Sequence, residues 1–180
     1  LAGPDVERSA IARCRQGQRW RWDGVDFELL HPPMGFGARG NDSSCVLRVH
    51  AADTAVILLG DLERYGERAL VTATDDLSAA VAVVPHHGSV TSSSATLVSA
   101  VGARYAVVSA AHANRWGFPK PEVVARWQSA GATVLVTGEV GAVAFAVSSD
   151  GVLSVDTERR RRHRPWHSTG ADARGYSLVL

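Results

Sequence analysis

The chain has 180 residues, of which 46% are hydrophobic and 21% are charged, and these proportions are typical of a single globular domain with a sizeable core. Its formal net charge is only +1, so any contact with nucleic acid must come from local basic patches and not from the charge of the whole chain. No apolar stretch approaches the roughly 20 residues that span a bilayer. The start at Leu1-Ala2-Gly3-Pro4 lacks the features of a secretory leader and suggests a fragment of a longer protein.

The two cysteines, Cys14 and Cys45, have a spacing that fits neither a zinc knuckle nor a CxxC motif. We expect ordinary unpaired thiols here, with a disulfide between them as the less favoured alternative. Cysteine usage therefore leaves the redox compartment undecided.

The N-terminal half is predicted to begin with a short helix and to continue as antiparallel strands. Trp20 and Trp22 have the spacing of one strand face. The turn at Ala51-Ala52-Asp53 joins two apolar runs, which therefore predict a hairpin. The predicted elements are a helix over residues 6–15, strands over 18–26 and 27–30, and hairpin strands over 45–49 and 54–59.

Residues 62–73 are predicted to form an amphipathic helix. Apolar residues recur there at helical spacing, and charged residues occupy the positions between them. The pattern directs Leu62, Tyr65, Ala69 and Leu70 inward, and it directs Glu63, Arg64, Glu67 and Arg68 outward.

The rest of the C-terminal half alternates strands with helices. Residues 92–94 are serines that can cap the second helix, and Pro121 marks the start of the third. This order, after paired strands, predicts a mixed α/β fold with parallel crossovers and a sheet covered by helices. The predicted strands are 80–84, 105–109, 133–136, 142–147 and 152–155, and the predicted helices are 95–101 and 122–130.

The chain is predicted to divide into a folded domain and a tail. Residues 1–156 form the domain, and residues 157–180 begin with a run of arginines and are predicted to be solvated and poorly ordered. The arginines at 159–162 are candidates for DNA contacts by counterion release, and a merely solvated charged tail is the alternative.

Two predicted strands end in residues that bind metals. Asp61 follows one apolar run after a glycine, and His86 and His87 follow another after a proline. The carboxyl ends of parallel strands meet at one edge of an α/β sheet, where ligands usually bind. A carboxylate offers two oxygens and a neutral imidazole offers a nitrogen, so the pattern indicates part of a metal site.

Four short motifs follow one another along the chain: Asn41-Asp42-Ser43-Ser44, Gly60-Asp61-Leu62-Glu63, His86-His87-Gly88-Ser89, and residues 114–119. This series resembles the metallo-β-lactamase-like domain of the ComEC/Rec2 competence proteins over about residues 14–147. The resemblance implies an αβ/βα sandwich that is incomplete at its N-terminus. It also implies a metal-dependent nuclease that degrades one strand of incoming DNA, on the extracytoplasmic side of the inner membrane. Its implied partners are DNA, a transmembrane channel in the same polypeptide, and other competence proteins.

The resemblance also assigns roles to individual residues. Asp61 matches an aspartate that bridges two divalent ions, Mn²⁺ or Zn²⁺, and His87 matches the last histidine ligand. His86 is expected to meet the substrate phosphate, so that Asp61, His86 and His87 form the catalytic group. Two further sets are expected to contact the DNA: the hydroxyl and amide donors Ser89, Ser92, Ser93 and Asn114, and the cation Arg115.

Three departures from the family pattern stand out in this sequence. The His-x-His-x-Asp-His motif is absent, as expected of a chain that begins within the domain, so these residues alone should bind metal poorly. Asn41-Asp42 replaces the middle histidine ligand, which leaves Asp42 as an oxygen ligand or the second ion weak. Gly117-Phe118-Pro119-Lys120 replaces Gly-His-Pro-His. Two alternatives to the nuclease therefore stay open, a non-catalytic DNA-guiding domain and a hydrolase of small phosphodiesters or esters.

Other histidines and the tryptophans are given structural roles. His31, which precedes two prolines, is expected to be a loop residue and not a ligand. Trp20, Trp22, Trp116 and Trp127 are expected in the core or in strand pairs in preference to base-stacking surfaces.

Overall fold

The computed structural model describes residues 13–37, 39–148 and 151–162 of the chain. Its centre is a seven-stranded sheet, and a two-stranded hairpin packs against it. This mixed α/β architecture confirms the predicted fold class. The strands are β1 (Arg19–Trp22), β2 (Val25–His31), β3 (Val46–Ala51), β4 (Thr54–Leu58), β5 (Val81–Val83), β6 (Tyr105–Val108), β7 (Thr133–Val136), β8 (Val143–Val147) and β9 (Leu153–Thr157), and the helices are α1 (Arg64–Ala73), α2 (Ala95–Val101), α3 (Pro121–Ser129), α4 (Thr137–Val140) and α5 (Glu158–Arg161).

The seven central strands lie in sequence order, and the direction of pairing changes at β4. Strands β1 to β4 pair antiparallel, and β3 with β4 forms the predicted hairpin. Strands β4 to β7 pair parallel, because α1, α2 and α3 carry the chain back across the sheet between them. The carboxyl ends of β4, β5 and β6 therefore share one edge of the sheet.

The two faces of the sheet are covered differently. On one face, Ile57 and other strand residues pack with Leu70 of α1, Leu97 of α2 and Trp127 of α3, all of them fully or almost fully buried. On the other face, the β8–β9 hairpin covers Tyr105, whose ring lies 5.5 Å from that of Phe145. This burial of apolar surface supplies most of the driving force that holds the carboxyl edge of the sheet in place.

Helix α1 buries Leu70 and exposes Arg68 as predicted, but two of its residues face the opposite way from the prediction. Glu67, predicted outward, has a fully buried side chain, whereas Tyr65, predicted inward, is 52% exposed. The carboxylate of Glu67 tolerates burial because it accepts hydrogen bonds from the backbone N–H groups of Ser93 and Ser94. Burial nevertheless raises the pKa of Glu67, because the charged form loses its solvation.

Cys14 and Cys45 form a disulfide, which corrects the prediction of unpaired thiols. The segment before β1 runs along the end of β2, since Gln16 N–H donates to the Pro32 carbonyl and Gly17 N–H to the Leu29 carbonyl. Cys45 immediately precedes β3, the neighbour of β2, and this brings the two Cα atoms to 5.8 Å. The proximity depends on pairing between strands, which the spacing of the cysteines does not reveal.

Reducing this disulfide should destabilise the protein. The bond closes a segment of 31 residues, and opening that loop lets the unfolded chain regain an entropy equivalent to about 2–4 kcal/mol. We expect the urea midpoint of the wild type to fall when dithiothreitol is added. The Cys14→Ser/Cys45→Ser protein should unfold at that lower midpoint with or without reductant. An unchanged wild-type midpoint in dithiothreitol would contradict the expectation.

The two ends of the chain are only partly described. The predicted N-terminal helix falls outside the described residues over 6–12, and residues 13–15 have no regular structure. Thr157 ends β9 and the next four residues form α5, where Arg161 pairs with Asp156 at 3.0 Å, so the predicted disorder does not begin at residue 157. The remainder of the predicted tail, residues 163–180, lies outside the described residues. Among the helices that the structure describes, none combines the length and hydrophobicity needed to cross a membrane.

Candidate functional site

Asp61 lies just beyond the carboxyl end of β4, where the backbone makes a tight turn. Gly60 has a φ of +57°, and a Cβ atom there would lie only 3.0 Å from the Cβ of Ser44, so both the conformation and the space favour glycine. The backbone N–H of Asp61 donates to the hydroxyl oxygen of Ser44 at 3.2 Å. The turn thereby fixes the direction in which the Asp61 carboxylate leaves the strand.

His86 and His87 lie beyond the carboxyl end of β5, next to that turn. Both have left-handed backbone conformations, with φ values of 49° and 54°, which are uncommon for residues other than glycine. The backbone N–H of His86 donates to the Gly60 carbonyl at 3.0 Å, which joins the two strand ends. Two successive residues in this conformation are a strained arrangement of the kind that clusters at functional sites.

The imidazole of His87 faces the carboxylate of Asp61, as the strand order predicts. Its Nδ1 atom lies 2.7 Å from the Ser109 carbonyl, which can only accept, so Nδ1 carries the proton in the neutral ring. The lone pair is then on Nε2, 3.6 Å from Asp61 Oδ1. A lone pair and a carboxylate oxygen repel each other unless a proton or a metal ion lies between them. The pair is therefore a potential cation site.

The imidazole of His86 has a different partner. Its Nδ1 atom lies 3.0 Å from Glu63 Oε1, and the same oxygen accepts a hydrogen bond from the Thr91 hydroxyl at 2.8 Å. Its Nε2 atom lies 3.5 Å from the side-chain nitrogen of Asn41. The sequence pattern predicts Glu63 on the outer face of a helix, but the residue precedes α1 and its carboxylate points to His86 instead.

These groups open into a cavity of about 480 Å³ at the carboxyl edge of the sheet. Half-exposed Asp61 and His87 lie on its wall together with His86, Asn114 and Trp116. A groove of about 980 Å³ lies at the other end of the strands, but its charges largely neutralise one another. Glu28 there pairs with Arg19 at 2.6 Å and with Arg48 at 2.9 Å. The smaller cavity is thus the better candidate for a chemical site.

Asp42, predicted as an oxygen ligand, is engaged elsewhere. Its Oδ1 accepts a hydrogen bond from the Gly66 backbone N–H in the first turn of α1, at 2.7 Å. Its carbonyl accepts a hydrogen bond from Nε2 of His31, which is the fully buried last residue of β2 and not the loop residue predicted. Asp42 therefore ties α1 to the sheet and does not line the cavity.

His31 should make the protein less stable in mild acid. Burial lowers its pKa, and the Nδ1 atom has no hydrogen-bond partner among the described residues, so a second ring proton would find no acceptor. Below pH 6.5 the unfolded chain takes up this proton more readily than the folded one, so the free energy of unfolding should fall as the pH drops, by at most about 1.4 kcal/mol per pH unit.

Denaturant unfolding between pH 7.5 and 5.0 measures this effect. His31→Gln should show a shallower fall than the wild type, and the matched variant His50→Gln, changed at an exposed position of β3, should keep the wild-type slope. Equal slopes in the wild type and His31→Gln would refute the assignment.

The three serines predicted to contact DNA are buried. The hydroxyl of Ser92 donates to the carbonyls of Pro85 and Ser89, and the hydroxyl of Ser93 accepts a hydrogen bond from the Trp127 indole at 3.1 Å. Ser89 Oγ lies 3.1 Å from the Thr91 hydroxyl. These contacts hold the loop after His87 in shape, and none of the three serines lines the cavity.

Asn114 lines the cavity, but its amide braces its own loop. It donates to the Ala111 and Phe118 carbonyls and accepts from the Phe118 backbone N–H. The guanidinium of Arg115 lies 4.3 Å from the ring centroid of Trp116, which is 58% exposed and contradicts the expectation of a core position. Trp116 and Glu63 are the site residues that sequence reasoning missed.

Comparison of this sequence with known protein families identifies the superfamily to which it belongs. Residues 2–112, more than half of the chain, match the sequence pattern of the metallo-β-lactamase superfamily. The chain belongs to the metallo-β-lactamase superfamily. Divalent metal use is general in this superfamily, and the predicted fold and family are thereby confirmed.

Relatives within this superfamily include named competence proteins. Competence protein ComA of Neisseria gonorrhoeae is 43% identical over 142 residues, which are 78% of this chain and 20% of ComA. Recombination protein 2 of Haemophilus influenzae is 34% identical over 130 residues, 71% of this chain and 16% of that protein. Uncharacterized protein YcaI of Escherichia coli is 33% identical over 139 residues, 77% of this chain and 18% of YcaI. The chain thus spans no more than about a fifth of the length of these relatives.

The metal-ligating atoms at this edge of the sheet are of the types that bind divalent ions, but they are few. No group of three or more His, Cys, Asp or Glu side chains in the described part of the chain is arranged to hold a metal ion. Asp61 and His87 nevertheless provide one oxygen and one nitrogen donor, and the Ser109 carbonyl orients the imidazole as outer hydrogen-bond partners do in metal sites. Two ligands at roughly 2.1 Å from one ion lie about 3.4 Å apart when the coordination is tetrahedral, close to the 3.6 Å between these two atoms.

Proposed function

We propose that this chain is the C-terminal part of a metal-dependent nuclease domain that degrades the non-transported strand of incoming DNA during natural transformation. The observation that carries the proposal is the Asp61–His87 pair, in which a carboxylate oxygen faces an imidazole nitrogen at 3.6 Å. Similarity to proteins named for competence and recombination supports DNA as the substrate.

Asp61 and His87 would be two of the residues that hold a Mn²⁺ or Zn²⁺ ion, with Asp61 supplying carboxylate oxygen and His87 an imidazole nitrogen. The remaining ligands are expected outside the described residues. When bound, such ions lower the pKa of water and neutralise the charge that builds up on the phosphoryl oxygens. His87 would present the lone pair of its Nε2 atom in a fixed orientation, and Asp61 would supply negative charge.

We propose that His86 acts on the substrate directly and that Glu63 acts indirectly, by positioning His86. The Glu63 carboxylate accepts a hydrogen bond from the His86 Nδ1–H group at 3.0 Å and so orients the ring, with Nε2 on the side away from Glu63. A protonated His86 can then donate from Nε2 to a phosphoryl oxygen or to the leaving oxygen. In this scheme His86 is a catalytic residue and Glu63 is a positioning residue.

The setting of the domain is part of the same proposal. We place it on the extracytoplasmic side of the inner membrane, joined to a transmembrane channel and working with other competence proteins. The Cys14–Cys45 disulfide supports this setting, because such bonds persist in oxidising compartments and are rare in the cytosol.

The main alternative is a non-catalytic domain that guides DNA to the channel. The absence of a three-ligand metal group among the residues described favours it. In that case the cavity would bind DNA through its polar and aromatic wall without cleaving it.

Cleavage of end-labelled DNA by the full-length polypeptide tests the proposal. We expect cleavage that requires Mn²⁺ or Zn²⁺ and stops in EDTA, and that exceeds the hydrolysis of bis-p-nitrophenyl phosphate at equal concentration. DNA binding without cleavage at any metal concentration would support the guiding domain. Hydrolysis of the small ester with no action on DNA would identify a small-molecule hydrolase instead.

A further inference from the structure

Trp116 is a large apolar side chain exposed beside a polar cavity. The residue is 58% exposed, and it lines the same cavity as Asp61 and His87. A single exposed apolar side chain is ordinary on a protein surface, so the informative observation is the position of this indole on the wall of a polar cavity.

The loop that carries Trp116 is held firmly from within. The Asn114 side chain spans the loop with three hydrogen bonds, two of them to the backbone of Phe118. The Lys120 ammonium donates to the Trp116 carbonyl at 2.8 Å. The backbone that carries the indole is thus held in place before any ligand arrives, which lowers the conformational entropy lost on binding.

Positive charge accompanies this aromatic group. The Arg115 guanidinium lies 4.3 Å from the indole centroid, and the Lys120 ammonium lies 5.5 Å from the Phe118 ring centroid. In the described part of the chain, no carboxylate lies within 4.0 Å of either cation. Phe118 is partly buried against the core, so Trp116 is the exposed ring of this pair. An exposed aromatic ring next to unneutralised cations is typical of surfaces that bind single-stranded nucleic acid.

We infer that Trp116 stacks, through the ring face that Arg115 does not cover, on an unpaired nucleobase of single-stranded DNA next to the phosphodiester at Asp61 and His87, while Arg115 binds a flanking phosphate. The inference rests on the proposed function and specifies that the DNA bound at the site is single-stranded. A base within a duplex is already stacked on both faces, so a fixed indole discriminates in favour of single strands. By holding one base, Trp116 fixes the position along the strand of the phosphodiester that reaches Asp61 and His87, whatever the identity of the base.

Fluorescence anisotropy of labelled oligonucleotides with the full 180-residue chain tests the inference without requiring cleavage. Three ligands are compared: a mixed-sequence single strand, the same strand with abasic sites, and the duplex. Trp116→Leu should weaken binding of the normal single strand by about 5- to 150-fold, the range measured for loss of one stacked base. Trp116→Phe should retain most of the affinity, because it keeps an aromatic ring.

A matched control comes from another exposed tryptophan. Trp22 is 74% exposed on edge strand β1, so Trp22→Leu should bind every ligand as the wild type does. Binding of the abasic strand should be the same for the wild type and Trp116→Leu. Thermal unfolding of each variant confirms that its fold is intact.

Two outcomes would overturn the inference: an unchanged affinity of Trp116→Leu for the normal strand, or an equal loss for the normal and abasic strands. Failure of the proposed function is distinguishable from both. If the full-length polypeptide cleaves no DNA but single-strand binding by the 180-residue chain still depends on an aromatic residue at 116, the stacking inference holds and the nuclease proposal falls.

Discussion

In the proposed nuclease, Asp61→Asn should raise the Mn²⁺ concentration needed for half-maximal DNA cleavage by at least about 100-fold. Asparagine keeps the shape of the side chain but loses its negative charge and one of its two acceptor oxygens. The Nε2 lone pair of His87 would then face a neutral amide in place of the carboxylate at 3.6 Å. Loss of an outer hydrogen-bond partner already costs about 10- to 100-fold in metal affinity, and loss of a direct ligand costs more.

A matched control for this change is Asp53→Asn, because Asp53 is exposed in the turn between β3 and β4. It should leave the metal dependence of cleavage unaltered. Asp61 and the Ser44 hydroxyl are linked through the Asp61 backbone N–H, so Asp61→Asn should preserve the turn and the melting temperature. Metal-dependent cleavage by Asp61→Asn at the wild-type rate and Mn²⁺ requirement would rule out Asp61 as a ligand.

Glu67→Ala should lower the free energy of unfolding by about 2–4 kcal/mol. The buried carboxylate accepts from the backbone N–H groups of Ser93 and Ser94, and its removal leaves both donors buried without partners. The same segment holds the Trp127 indole through the Ser93 hydroxyl, so α1, α2 and α3 all depend on it. Denaturant unfolding at pH 7.5 measures the loss.

The pH dependence of that loss provides a second check. Burial raises the pKa of Glu67, so between pH 4.5 and the raised value the folded state holds more protons than the unfolded chain. The stabilisation from Glu67 therefore declines as the pH rises through this window, and the wild type should exceed Glu67→Ala by more at pH 4.5 than at pH 7.5. Arg68→Ala, the exposed neighbour on α1, should change stability by less than about 0.5 kcal/mol. A Glu67→Ala protein as stable as Arg68→Ala would contradict the assigned role.

The parts of the fold and site that sequence could predict are those determined within one element and its ends. The apolar runs before Asp61 and before His86 indicate buried strands, and crossover rules then bring their carboxyl ends together. The structure agrees, because β4 and β5 are adjacent and parallel. The approach of Asp61 to His87 follows from that adjacency without knowledge of any side-chain contact.

The parts that could not be predicted depend on contacts between distant elements. The outward prediction for Glu67 fails because the donors that make its burial tolerable come from residues 93 and 94, well beyond α1. The Cys14–Cys45 bond depends on how the segment before β1 crosses β2. The exposure of Trp116 depends on a loop shape set by the Asn114 side chain, and composition alone cannot separate such a loop from a core position.

The two adjacent imidazoles differ in the kind of group that their Nδ1 atoms contact: a backbone carbonyl for His87 and a side chain for His86. The tautomer of His87 is imposed by the main chain at Ser109, so no side-chain replacement at that position deletes the acceptor. The Nδ1 partner of His86 is instead a side chain, the carboxylate of Glu63, which a single substitution removes. Evolution can therefore change the orientation of the His86 ring through residue 63 alone, while the main chain keeps the neighbouring His87 ring turned towards Asp61.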